Sequence, residues 1–168
     1  MFIVSCDPGI TGAVAAIKNG ELYEVFPIPL TSDRRVDIEQ LTENIADLSQ
    51  DEPVMDIRCC VEFVHAMPKQ GVSSLFRFGY TTGILTGILG AILYLDPDTI
   101  RPQDWKKHWG LSGTAKDAAV STALELEPAL FDSFLEDHGK YPNKQLQSGM
   151  ADAYLMGMYY YSTLVDVN

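Results

Sequence analysis

The sequence predicts one α/β domain whose sheet joins an antiparallel hairpin to parallel crossover strands. Three observations predict it. The chain opens on three short apolar segments punctuated by turn residues, a similar apolar run returns at 57–64, and segments of helical periodicity lie between and after them. With 168 residues there is room for one ordinary core and not two, so 1–168 is expected to be a single domain.

Each element has a local cause. Met1–Cys6 is an apolar run stopped by Asp7-Pro8-Gly9, which reads as a buried strand entering a turn. Ala13–Lys18 and Glu21–Phe26 read as two strands joined at Asn19-Gly20, a pair that tolerates the positive φ of a type I′ turn. Within 37–49, Ile38, Leu41, Ile45 and Leu48 share a helical face opposite acids, and Asp51-Glu52-Pro53 ends the helix. Ile57–Val64 reads as a strand carrying one acid, Glu62, and 67–71 as a loop. A long helix is predicted over 72–94, with Gly79, Gly83, Gly87 and Gly90 nearly on one side, which predicts close backbone packing there. Phe76, Phe78 and Tyr80 suit a dimer interface. Thr99–Arg101 reads as a short strand, Gln103–Trp109 and Ala115–Leu126 as helices with Thr114 or Ser112 capping the second, and 127–146 as irregular. The last helix is predicted over 149–164, with Asp152 in its first turn and Ala151, Leu155, Met158 and Tyr159 facing the core.

The formal net charge of −11 argues against a broad, non-specific nucleic-acid binder. Positive charge is local: 63–95 holds Lys69 and Arg77 and no acid, and 101–118 holds Arg101, Lys106, Lys107 and Lys116 against Asp104 and Asp117. Cys6, Cys59 and Cys60 lie in apolar runs without a C-x-x-C spacing, so they read as buried thiols of a reducing cytoplasm. No basic leader precedes the first strand, and the uncharged stretch 79–95 reads as a buried helix, so no membrane partner is expected.

Asp7, Glu62 and Asp152 stand out as candidate site residues. Asp7 and Glu62 end predicted parallel strands, and open α/β sheets place their sites at that edge. Three carboxylates held together repel one another unless a cation intervenes, and an all-oxygen set selects Mg²⁺ or Mn²⁺. A pair of such ions activates a water and stabilises the leaving oxygen of a phosphodiester. Each acid also has an ordinary reading: Asp7 as a turn residue before Pro-Gly, Glu62 as a buried acid with a structural partner, Asp152 as a complement to a helix dipole. Trp105 and Trp109, four residues apart, read as a core pair more than as a stacking platform for bases.

Four blocks carry a resemblance: V-S-C-D-P-G-I-T-G-A at 4–13, V-E-F-V at 61–64, R-P-Q-D-W-K-K at 101–107 and G-M-A-D-A-Y-L at 149–155. In that order and spacing the chain resembles RuvC-type Holliday junction resolvases, the bacteriophage-encoded branch most closely, within the ribonuclease H-like fold. The resemblance implies a mixed five-stranded sheet flanked by helices. It also implies a homodimeric endonuclease that nicks branched DNA, such as four-way junctions, symmetrically with two Mg²⁺ or Mn²⁺ ions per site, leaving 3′-hydroxyl and 5′-phosphate ends. Asp7, Glu62 and Asp152 match its metal-binding carboxylates. Lys116 matches a basic residue beside the cleaved phosphate, with Lys106 or Lys107 as another. His65 or Met67 stands where such enzymes push a side chain into the junction, and Lys69, Arg77, Lys106, Lys107 and Lys116 are the candidate phosphate contacts. The chain departs from the family at Ser148 and Gly149, where a fourth acid commonly stands, so substrate phosphate oxygens must help complete two metal sites. The implied compartment is the cytoplasm, that of the bacterial host for a phage protein.

Two other readings are carried. A protein of this fold that binds branched DNA without cutting it follows if three acids fail to load metal. D-P-G-I-T-G also resembles the phosphate loop of actin-like sugar kinases, but those need two such domains around a nucleotide, so no nucleotide cofactor is expected in 168 residues.

Overall fold

The computed structural model describes residues 1–63, 71–115 and 117–165, the side chain of Ser74 excepted. Five strands form one sheet in the order β3-β2-β1-β4-β5: β1 Phe2–Asp7, β2 Ala13–Lys18, β3 Glu21–Pro27, β4 Ile57–Glu62 and β5 Asp98–Ile100. The first three pair antiparallel, whereas β4 runs parallel to β1 and β5 parallel to β4. Asn19 and Gly20 turn the first hairpin with φ of 54° and 89°, the positive values expected of that dipeptide.

Strand alternation sorts the core into two layers. Phe2, Val4, Cys6, Val14, Ala16, Ile57, Cys59 and Val61 face α1 (Ile38–Ser49) and α2 (Val72–Leu93). Ile3, Ala13, Ala15, Ile17 and Cys60 face the opposite layer, built from α3 (Pro102–His108), α4 (Ala118–Leu126), α5 (Asp132–His138) and α6 (Lys144–Val165). All three cysteines are buried free thiols.

Several elements depart from the sequence reading. In α1, Leu41, Ile45 and Leu48 are buried, but Ile38 is 49% exposed, because Asp37 caps the helix and leaves Ile38 at its solvent-facing start. Helix α4 starts at Ala118 and gains no side-chain cap from Thr114 or Ser112, since Thr114 Oγ1 donates to the Leu111 carbonyl instead. The segment 127–146 contains α5, whose Phe134 is buried and stacks on His138. Helix α6 begins at Lys144, with Asn143 Oδ1 accepting from the Gln145 and Leu146 amides, so Asp152 lies in its third turn rather than its first. Met158 and Tyr159 are half-buried; Tyr160 enters the core.

The largest departure concerns α2. Its core face is Thr81, Leu85, Ile88, Leu89 and Leu93, and the glycines lie elsewhere. A Cβ added at Gly79, Gly83 or Gly87 would meet nothing within 4 Å, so this side is open, not closely packed. The stretch Leu75–Leu93 is long and apolar enough to cross a membrane by length and composition, although its core face lies against the sheet.

Candidate active site

Asp7 ends β1 and Glu62 ends β4. Cys6 pairs with Val61 in the parallel register, so the two acids stand level on adjacent strands at their C-terminal edge. Cys6 and Val61 face α1 and α2, and alternation therefore turns Asp7 and Glu62 towards α6. One step back on the same face, Ser5 Oγ donates to the Ala153 carbonyl at 2.8 Å, next to Asp152.

A seam of small residues seats α6 there. Gly149, Ala153 and Gly157 recur every four residues and lie against β1, β2 and their connecting loop. A Cβ at Gly149 would stand 2.0 Å from the Thr11 carbonyl oxygen, and one at Gly157 2.3 Å from Ile17 Cδ1. A Cβ at Gly12 would stand 2.0 Å from the Asp7 carbonyl oxygen, so the loop folds back over the strand end that carries Asp7. Position 149 therefore has no room for a side chain, an acid included.

Burial is the first cause of the carboxylates' shifted acidity. It pushes Asp7 well above the usual carboxylate range, helped by the charges of Glu62 and Asp152. Asp152 is pushed up to about 6, by burial first and then by Glu62, against the opposing charge of Lys106. Glu62 is raised by burial, while a hydrogen bond from Trp105 and the charge of Lys106 pull it back. The acids thus act on one another, and each would be relieved by a cation or a proton.

A carboxylate whose folded pKa exceeds its unfolded value stabilises the fold below the unfolded pKa, near 4, and loses that contribution as pH rises through the folded value, about 6 for Asp152. Mg²⁺ is therefore expected to raise the melting temperature more at about pH 8 than at about pH 5. Scanning fluorimetry with and without Mg²⁺ at both pH values checks this, and an equal gain at both would show that these acids do not hold the ion.

Helix α3 brings the remaining groups. Trp105 is fully buried, and its Nε1–H donates to Glu62 Oε1 at 3.0 Å. Lys106 Nζ lies 4.9 Å from the centre of the Trp105 ring, and its charge reaches all three acids. Lys107 is exposed, as is Arg77 on α2. His65, Met67, Lys69 and Lys116 lie outside the described residues. Weighing the tryptophans as a core pair or a stacking platform does not reach the contact of Trp105 with Glu62; the available signal is a W-K pair five residues after the end of β5, the strand beside Glu62.

Among the described residues no three His, Cys, Asp or Glu side chains form a ready-made metal cage. Mg²⁺ commonly keeps several waters and is bound through one or two carboxylates plus substrate phosphates. Three mutually repelling carboxylates with a lysine beside them are a donor set of that kind. A cavity of about 870 Å³ lies along β3; none of the three acids lines it, and it mixes Glu24, Asp47 and Asp137 with His138 and Lys140.

A five-stranded sheet in this order, flanked by helices on both faces, is the ribonuclease H-like fold. Among solved structures the chain is similar to Thermus thermophilus RuvC, at 16% identity and a TM-score of 0.53, with 97% of each chain covered. It is also similar to T. thermophilus RuvC in complex with Holliday junction substrate, at 12% identity and a TM-score of 0.59, with 96% of each chain covered. No family model matches the sequence, and no curated protein matches it significantly. The shared fold extends over nearly the whole chain.

Proposed function

We propose that the protein is a structure-selective DNA endonuclease, dependent on divalent metal, that nicks two strands of a four-way junction symmetrically as a homodimer. What supports this reading is that Asp7 and Glu62 end adjacent parallel strands, with Asp152 and Lys106 near enough to shift their acidity, in a fold shared with a protein solved on a Holliday junction. Asp7, Glu62 and Asp152 would hold two Mg²⁺ or Mn²⁺ ions together with phosphate oxygens of the substrate. When bound, such ions acidify the attacking water and offset charge on the leaving oxygen. Lys106 neutralises part of the scissile phosphate's charge, and the sequence motifs give Lys116 the same task. The cytoplasm is the compartment this reading implies, and the phage-like branch rests on the motifs alone.

The test is a synthetic four-way junction against a matched linear duplex, with Mg²⁺ or Mn²⁺ against EDTA. Paired, metal-dependent nicks confined to the junction are expected. Binding without cleavage under every metal would favour the second reading, a non-catalytic junction binder, which the missing fourth acid at Ser148 and Gly149 supports.

A dimer suits the substrate because one domain has one such site and a junction has two strands to cut, related by two-fold symmetry. The surface that suits the dimer is the open side of α2. Val72 and Phe76 are 83% and 75% exposed, and Tyr80, Gly83 and Gly87 continue the stripe at spacings of one helical turn. Its glycines admit a second helix at close range. Phe76→Glu is expected to halve the mass measured by sedimentation and turn paired nicks into single ones, with circular dichroism unchanged. A monomeric wild-type protein that still makes paired nicks would remove this part of the reading.

A further inference from the structure

Two tryptophans four residues apart, Trp105 in α3 and Trp109 just past its end, reach two different carriers of the carboxylate cluster. Trp105 donates its indole N–H to Glu62 Oε1 at 3.0 Å, and Trp109 donates its own to the Leu155 carbonyl at 2.9 Å, three residues beyond Asp152 on α6. Buried indoles generally find an acceptor. Here the acceptors are one of the acids and the helix that bears another. Leu155 lies inside α6, where the helix ladder already uses one lone pair of its carbonyl, so Trp109 adds a bond that α6 does not need for its own ladder.

We infer that Trp105 and Trp109 are positioning residues that hold Glu62 and α6 at a set separation, and that Trp105 orients Glu62 for a divalent cation. The inference rests on the nuclease reading of the three acids. A carboxylate at a strand end can rotate about its side-chain bonds, and the indole removes that freedom by engaging Oε1. Oε2 carries no hydrogen bond among the described residues and is the oxygen left for a cation. The ring that orients Glu62 also carries the Lys106 ammonium over its face, so adjacent residues of one helix turn deliver the orienting donor and the neighbouring positive charge. The spacing of Trp105 and Trp109 couples the two anchors, because rotating or sliding α3 moves both indoles together. Partners that orient metal ligands in this way typically govern metal affinity by about 10- to 100-fold.

The chain contains two tryptophans, so its two indole N–H resonances are assignable from Trp105→Phe and Trp109→Phe, which keep a ring and remove the donor. Titrating Mg²⁺ is expected to move the Trp105 resonance further than that of Trp109. In calorimetry, Trp105→Phe is expected to weaken Mn²⁺ binding about 10- to 100-fold, with junction binding in EDTA unchanged. If Trp105→Phe does not fold, benzothienylalanine at position 105, which replaces the indole N–H by sulfur at nearly the same shape, makes the same comparison. A wild-type protein that binds Mn²⁺ while its Trp105 resonance stays still, or a variant that binds Mn²⁺ as tightly as wild type, overturns the inference and leaves the nuclease reading standing. A wild-type protein that binds no divalent ion even with a four-way junction present overturns both.

Discussion

Asp7→Asn is expected to lower junction cleavage by at least about a thousandfold while leaving junction binding intact. Metal assistance stabilises charge in phosphoryl transfer by several kcal/mol, and each 1.4 kcal/mol or so is tenfold in rate, so losing one shared ligand costs roughly three powers of ten. Asn keeps the size of the side chain and removes the charge that Glu62 and Asp152 oppose. The same variant is therefore expected to melt at a higher temperature than wild type in EDTA, the usual exchange of stability for function at a strained site. Nicking measured on denaturing gels, with mobility shifts in EDTA beside it, checks both halves. Cleavage within tenfold of wild type would remove Asp7 from the site.

Gly149→Ala is expected to cause a large loss of stability. The added Cβ would meet the Thr11 carbonyl oxygen at 2.0 Å and Gly12 Cα at 3.0 Å, both backbone atoms of a tight loop that cannot rotate aside. Overpacking of this kind costs about 3 kcal/mol or more, which for a domain of this size lowers the melting temperature by about 6–12 °C. A melt within about 2 °C of wild type would mean that α6 does not rest on the β1–β2 loop. Cleavage is expected to fall further than stability alone dictates, because pushing α6 off the loop carries Asp152 away from Asp7.

Those two residues mark how far the sequence could be read. Asp7 was legible because a charge directly after a buried apolar strand is an anomaly, and Glu62 for the same reason. Strand alternation then put both on one face, and the hairpin at Asn19-Gly20 and the parallel pairing of β1 with β4 followed from patterns of period two. The glycines were not legible in the same way. Gly79, Gly83 and Gly87 on α2 and Gly149 and Gly157 on α6 both recur at helical spacing, yet the first set is open and the second is jammed against backbone and core side chains. Spacing reports that a face is smooth; what lies against it depends on which helix the sheet recruits. The start of α6 was misplaced because Asn143 and Pro142 lie in a polar stretch that hides the cap, and α5 was missed because a seven-residue helix offers too few turns to show a period. The Trp105 bond to Glu62 joins residues far apart in the chain, where no local pattern reaches.

The long sequence separation between α6 and the strands it covers also has a meaning for how the chain is made. The pairing of β1 with β2 is local in sequence and can form as soon as both strands leave the ribosome. Ile3, Ala13, Ala15 and Ile17 on one face of it find their cover in α6, which follows β2 by more than a hundred residues. Until α6 emerges that half of the sheet remains an uncovered apolar surface, and the candidate site lacks Asp152. The nascent chain is thus adhesive until α6 docks, and a chain interrupted within α6 is a polypeptide prone to aggregate.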